Sequence, residues 1–551
     1  MSEEVCRSAF GAGDDCREYN VYVETAAVEA VWPPVDGWPA GAQVGPLAVS
    51  VEIALKILAD SLEEVGGRAY VNDASKAEAV SRCVCSLLGV LGDLGATAGG
   101  LPAGLEGSVS QQSAWGDVMG LLGRVANGPH LRSGLVGQYA VAVGALGFDL
   151  GLVADGSLPV LDWDGWVQPR RAHSLYSPDR RDSYVEDPIF VRVHQVCEGV
   201  LEAMLVELDK VEAALYVADY QAAEGHVLMA ARFADPFTHA MGLLGEMSQL
   251  DYAPLRTALR DASGAQSARG QARRQVVRDH FWLFDQQLRH RGLDSFTVFA
   301  DPAAHVDEYR LLSAFKVLGR SVNNTMSTHA HMVYNVLGSA VNGTLGARVL
   351  SLGQVAAYPL LRDITNALDN LTLWTSLRYA HHSGIVIFDQ ERTHSNTDKY
   401  DIDLPDTACD RQLMNTAIGA YFEAIGDHDK ERWKQLFADR FRFEDPKGTK
   451  PYVTEANLDV FFRNFRQLFP EVNSTAHEVT ATDHRSATVR WAIEADTFLG
   501  AGITAAFAGT ETFYFDTAGK IVAAFADWDP AALAEDLMDQ YRAQLTAARA
   551  A

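Results

Sequence analysis

Cysteine is scarce in this sequence: Cys6, Cys16, Cys83, Cys85, Cys197 and Cys409 are scattered through 551 residues. No disulfide ladder can be drawn from them, which agrees with a reducing compartment and an expected cytoplasmic location. Cys83-Val84-Cys85 has no further Cys or His at ligand spacing, so a zinc site is excluded there. His381-His382 is no better, because adjacent helical side chains point in different directions. Positive charge is short as well, with 46 Lys and Arg against 72 Asp and Glu and a formal net charge of −26. A surface of that sign does not bind a phosphate backbone, which excludes nucleic acid as a partner. No uninterrupted apolar run of about 18 residues stands out, so no membrane span and no membrane partner are expected. The opening MSEEVCRSAFGAGDDC lacks a basic start followed by an apolar stretch, so no signal peptide is read there.

The chain does contain enough apolar residues, 48%, to bury a large core, and its length suits two to four domains. Residues 1–160 read as a helical region without a chemical motif, with helices over 46–66, 75–95 and 112–127. A Gly-rich link lies at 95–107, and Gly-rich apolar sequence runs through 134–155. Residues 185–385 are helical by periodicity. Asp187-Pro188 makes a helix start, with Pro in the first turn. Ile189, Val193, Val196, Val200, Met204, Leu208, Val211 and Leu215 then recur at three- and four-residue spacing. No strand alternation is visible before residue 388. The polar stretch 389–410, DQERTHSNTDKYDIDLPDTACD, reads as a linker. Helices are expected over 411–440 and alternating strands over 474–526, in SATVRWAIEA, GITAAFAGTETFYFD and KIVAAFADWD. Helices followed by a run of antiparallel strands indicate an α+β domain.

The segment DYAPLRTALRDASGAQS, residues 251–267, places Tyr252 and Arg256 four residues apart, on one helix face. A phenol and a guanidinium beside a loop of small residues suit a ligand bearing a carboxylate, which Arg grips bidentately. The plain alternative is a surface helix with an ordinary Tyr and Arg. Downstream, His329 stands three residues before Met332-Val333, followed by Leu337-Gly338 and Asn342-Gly343-Thr344. Upstream, residues 185–215 carry Phe190, His194-Gln195 and Glu198 on the long helix. In order and spacing these three segments resemble the tryptophan 2,3-dioxygenases. The resemblance implies a mainly α-helical haem-oxygenase-like domain over residues 161–388. It implies haem b with His329 as axial ligand to the iron, dioxygen as co-substrate, and an aromatic, indole- or tryptophan-derived small molecule as substrate. Tyr252, Arg256, Ser263, Gly264, Thr344, Tyr184 and Val185 would line the substrate pocket. His331 is a rival ligand two positions on, and His194 reads as a structural residue of its helix. Two departures matter. The family's distal histidine falls on Val185, which cannot exchange a proton, and Leu345 stands where a Gly is expected. Ring-cleaving dioxygenation and single-oxygen insertion both stay open.

Toward the C-terminus, Tyr421 in AYFEAI, the run Phe443-Glu444-Asp445-Pro446 with Gly448, and TETFYFDTAGKI at 510–521 resemble the nuclear-transport-factor-2-like group. The branch is that of ketosteroid isomerases and SnoaL-like polyketide cyclases. The resemblance covers residues 411–545 and implies helices packed on a curved antiparallel sheet that forms a cone. It assigns Asp445 as general base, with Tyr421 and Glu511 as the donors facing it. Read plainly, Asp445-Pro446 is also a good turn, and Glu511 could face solvent on an edge strand. The combined expectation is a haem-dependent oxygenase of specialised metabolism fused to a ligand-binding or isomerase-like domain, and assembled as a homo-oligomer. The alternatives are a non-catalytic haem- or ligand-binding protein, or chemistry confined to the C-terminal domain.

Overall fold

A computed structural model describes residues 17–33, 38, 40–62, 73–102, 104–107, 118, 120–123, 128–149, 158–176, 186–259, 267–337, 359–380, 404, 406–449 and 451–550. The chain divides into two compact units. One comprises Met1–Phe284 with Val306–Arg362, and the other Asp285–His305 with Asp363–Ala551. The sequence boundary at residue 160 falls inside the first unit, where the helix Gly41–Leu62 packs on the helix Asp187–Tyr216.

The first unit is helical throughout its described residues apart from isolated bridges. Asp187–Tyr216 begins with Pro in its first turn, as the motif dictates, and buries residues on nearly every side. A helix buried all round lies at the centre of a bundle. Here its neighbours are Gly41–Leu62, Tyr220–Arg232 and Ala234–Leu243. Asp73–Ala98 packs on Gly41–Leu62 and on Gly128–Ala145. The last of these falls in a stretch that the sequence left as Gly-rich and apolar, while most of the expected helix at 112–127 lies outside the described residues. Two of these helices, Gly41–Leu62 and Ser75–Ala98, are long and apolar enough to cross a membrane by length and composition. The sequence reading looked for unbroken apolar runs and singled out neither helix. Most of both windows is buried against other helices.

Buried carboxylates organise this bundle, each with several donors. Glu52, on the Gly41–Leu62 helix, accepts from Trp163 Nε1 at 2.6 Å and Tyr139 OH at 3.3 Å, and meets His173 Nε2 at 3.2 Å. Glu207 takes Gln43 Nε2 at 2.7 Å, Lys210 Nζ at 2.9 Å and His226 Nδ1 at 2.7 Å. Glu198 takes Ser267 Oγ at 2.6 Å, Tyr19 OH at 2.9 Å and Arg269 Nη1 at 3.1 Å. A buried charge costs several kcal/mol unless it is so surrounded.

The second unit is α+β. Its sheet runs in the order β1-β5-β4-β3-β2, from Phe437–Glu444 (β1), Val472–Ala481 (β2), Ser486–Asp496 (β3), Thr504–Phe515 (β4) and Ile521–Asp527 (β5). The three strands read from alternation are present as β3, β4 and β5. Two corrections apply. Residues 437–440, expected to be helical, begin β1, and β1 pairs with β5 in parallel, so the sheet is mixed. β1 escapes a pattern search because Phe437, Phe441, Phe443 and Glu444 are buried without strict alternation. A further helix, Glu455–Leu468, was also missed. It is capped by Thr454 and turns Leu458, Phe461, Phe462, Phe465 and Leu468 inward. Trp433, fully buried, stacks on Phe461 at 5.6 Å and meets Phe437 at 5.0 Å and Phe443 at 5.6 Å.

Replacing Glu52 with Leu leaves Trp163 Nε1 and Tyr139 OH buried without their acceptor. Urea unfolding of the full chain should show the helical unit destabilised by about 2–4 kcal/mol. A loss below about 0.5 kcal/mol would show that this network contributes nothing net.

Candidate functional site

The inner face of the second unit's sheet can be read from the strand period. On β4 the buried positions alternate, and Glu511 lies on the same face as Phe513 and Phe515. Glu511 faces Val489 on β3 and Ala526 on β5, in the middle of the sheet. It is only 3% exposed. The alternative of a solvent-facing edge residue is therefore overturned, because β4 has a partner on either side.

Tyr421 reaches the same place from the helix Arg411–Gly426, which Asp410 caps by accepting from Gln412 N and Leu413 N. Its ring sits edge-on to Phe513 at 5.0 Å and tilts against Trp433 at 5.7 Å. Its hydroxyl donates to Glu511 Oε1 at 3.0 Å. The resemblance assigned Tyr421 and Glu511 as two donors facing Asp445. They instead stand in series, one hydrogen-bonded to the other.

Asp445 arrives at the end of β1. The turn that carries it is held by its own motif: Glu444 accepts from Gly448 N at 2.8 Å and from Arg442 Nε at 2.7 Å. Thr449 Oγ1 donates to Pro446 O at 2.7 Å, and Lys447 N donates to Ala526 O at 2.6 Å. Gly448 has φ +88°, a conformation that a side chain rarely adopts. Glu444 and Gly448 thus shape the turn and leave Asp445 free to project. Trp528, one residue past β5, donates its indole N–H to Asp445 Oδ1 at 2.6 Å. Trp528 packs against Phe507 at 4.8 Å and Trp491 at 6.4 Å. Trp528 carries no motif in the sequence. Its only signal was an indole directly after the last strand, in ADWDP.

The electrostatics follow from these surroundings. Asp445 keeps some accessible surface, yet desolvation pushes its carboxyl up to about 7, against the opposing pull of the Trp528 hydrogen bond. Burial holds Glu511 well above the ordinary carboxylate range. The Asp445 charge adds to this, and the Tyr421 hydrogen bond works the other way. Burial likewise raises the Tyr421 phenol, with the Glu511 and Asp445 charges behind it. The arrangement is one carboxyl brought to about 7 and a second raised well above its ordinary range beside a phenol. Small residues sit around them on the sheet: Ala526 and Ala524 on β5 and Gly509 on β4.

In the helical unit, Tyr252 and Arg256 do come together on the helix Gln249–Leu259, which packs on the helix Val306–Leu337 that carries His329. Burial raises the Tyr252 phenol, and the Arg256 charge opposes that rise. His329 is partly buried, and desolvation brings its imidazole down to about 4. His331 is exposed. His194 is buried, with Nδ1 2.7 Å from Phe190 O, a structural residue as expected. Tyr184, Val185, Ser263, Gly264 and Thr344 lie outside the described residues. Among the described residues, no group of three or more His, Cys, Asp or Glu is placed to hold a metal ion by itself.

Residues 418–524 match the SnoaL-like domain family, so the second unit carries a SnoaL-like, NTF2-like domain. The match includes Tyr421, Asp445 and Glu511. No curated protein matches the chain. Among solved structures, similarity extends to the epoxide hydrolase/cyclase-like enzyme SalBIII of pyran ring formation in polyether salinomycin. That pair has 22% identity and a TM-score of 0.20, over 22% of this chain and 92% of that one. An LEH-like epoxide hydrolase of M. tuberculosis is 14% identical, with a TM-score of 0.21, over 25% and 97%. A Mycobacterium tuberculosis protein in complex with estradiol-17beta-hemisuccinate is 19% identical, with a TM-score of 0.19, over 21% and 93%.

Gly509 lets the indoles approach. A Cβ there would lie 2.6 Å from Asp527 O, 2.7 Å from Trp491 Cζ2 and 2.9 Å from Trp528 Cβ. Gly509→Ala should therefore destabilise this unit by about 1–3 kcal/mol in urea unfolding, the range for overpacking. An unchanged midpoint would mean that the strands part without cost.

Proposed function

We propose that the C-terminal unit catalyses proton transfer on an apolar carbonyl compound, as an isomerase or cyclase. The observation that carries this reading is a pair of carboxyl groups on one buried face with their proton affinities set apart. Asp445 is near neutrality, and Glu511 is kept protonated against Tyr421. Two titratable groups driven apart by their surroundings mark a base and an acid. The SnoaL-like match over the same residues supports the class of chemistry.

In this reading Asp445 removes a proton from carbon α to a carbonyl, or from a hydroxyl that closes a ring. The electron pair moves to the carbonyl oxygen, which accepts a hydrogen bond from the Tyr421–Glu511 pair as charge develops on it. Donors already in place cost no reorganisation when the charge appears, and the apolar walls strengthen them. Asp445 then returns the proton to another atom of the same molecule. Substrate and product have equal mass, and no co-reactant is consumed. Trp528 orients Asp445 and limits how far its proton affinity can rise.

The test is the exchange of α-hydrogens for deuterium in a panel of β,γ-unsaturated cyclic ketones, followed with product formation by nuclear magnetic resonance. Asp445→Asn should lower the rate by about 10²–10⁴-fold, the usual contribution of a positioned base. Because the ionised form of Asp445 is the active one, kcat/KM should rise with pH through about 7. A flat profile between pH 5 and 9, or an Asn variant of full activity, would remove Asp445 as base.

A second reading belongs to the helical unit and rests on His329. A neutral imidazole is the form that ligates haem iron, and an imidazole brought down to about 4 is neutral at physiological pH. His329 would hold the iron, and Tyr252 with Arg256 would anchor a carboxylate of an aromatic substrate. Haem, when bound, supplies dioxygen binding. Protein purified after expression with haem supply should show a Soret band that shifts on reduction and with carbon monoxide. The band should be lost or altered in His329→Ala. Colourless wild-type protein would dispose of the oxygenase reading and leave the C-terminal one untouched.

A further inference from the structure

Among the described residues of the helical unit, Arg273 is a buried arginine without an ion pair, and it occupies a position where packing calls for an apolar residue. On the helix Ala268–His290 the inward stripe runs Arg273, Val277, Phe281 and Phe284. Arg273 is 2% exposed. Its Nε and Nη1 are buried without a hydrogen-bond partner among the described residues. One face of its guanidinium lies over the Phe237 ring, 4.7 Å from the centroid.

Among the described residues, the neighbouring groups do not neutralise it. Glu198, one residue from Cys197 on the facing helix, is committed to Tyr19, Ser267 and Arg269. Cys197 is close enough to favour the Arg273 charge, but burial drives that thiol well above its ordinary range, so it carries no charge at neutral pH. Desolvation brings Arg273 itself down only to about 10, which leaves it cationic. Elsewhere in the same unit the buried carboxylates Glu52, Asp187, Glu198 and Glu207 each have at least two donors. A buried guanidinium without an anion is costly, and Met in its place would pack the stripe at lower cost.

We propose that Arg273 is the anchor of a binding site for a small organic carboxylate in the helical unit, separate from the Tyr252–Arg256 pair. One guanidinium neutralises one negative charge, so a monoanionic carboxylate fits the site better than a phosphate dianion. With its Cζ over Phe237, the planar group would offer edge N–H groups to the two oxygens, the geometry in which Arg recognises a carboxylate.

The probe is benzoate, titrated into the full chain by calorimetry and thermal scanning, with inorganic phosphate and benzamide as comparisons. Benzoate should bind wild type and raise its unfolding temperature with concentration, while neutral benzamide should not. Arg273→Met should weaken benzoate at least tenfold and, without ligand, unfold at a higher temperature than wild type. Arg82→Ala, at an exposed arginine paired with Glu78, should leave benzoate binding within twofold. Absence of benzoate binding to wild type overturns the proposal whatever the variants do, including a variant that fails to fold. Phosphate binding in preference to benzoate overturns the carboxylate assignment. Benzoate binding lost in Arg256→Ala but retained in Arg273→Met moves the site to the other arginine.

Discussion

Glu511 is an acid on the buried face of a central strand, and the C-terminal site is arranged around that constraint. A carboxyl there must keep its proton or find donors, because water does not reach it. It does both. Tyr421 comes down from the helix Arg411–Gly426 to bond it, and the nearby Asp445 makes a second negative charge unfavourable. The same burial that raises Glu511 also raises Asp445, and Trp528 checks that rise through one hydrogen bond. The difference between the two carboxyl groups comes from partners and position, since their chemistry is nearly the same.

The helical unit handles buried charge in the opposite way. Glu52, Glu198 and Glu207 are each surrounded by donors from other elements, so that one carboxylate ties several helices together. Such networks resist change because removal of one member leaves the others buried and unpaired. Arg273 departs from this economy, and for that reason it reads as a place kept for something else. Both proposals therefore rest on the same criterion, a polar group whose surroundings do not complete it or whose proton affinity they displace.

Much of this was legible from sequence, but unevenly. The helix start at Asp187-Pro188 was plain because its signal is local, as were the three alternating strands. Tyr421, Asp445 and the supporting Glu444 and Gly448 were legible as a motif, since the turn needs those residue types at that spacing. Glu511 was named, yet whether it faced water depended on the strand order. Trp528 and Arg273 were not legible. A tryptophan after a strand and an arginine in the polar run QARRQVVRDH look ordinary until the fold shows what lies opposite them.

By itself the sequence determined the helical character of the long first part, the α+β character of the last, and the choice of Tyr421, Asp445 and Glu511 as residues to look for there. These depend on periodicity and on turns within a few residues. Only the tertiary structure decided that β1 returns parallel beside β5, that β4 is central, and that Tyr421 bonds Glu511 across 90 positions of chain. Solvation is the physical reason. Whether a carboxyl or guanidinium is charged, neutral or waiting for a partner depends on what surrounds it in space, and most of those neighbours are far away in sequence.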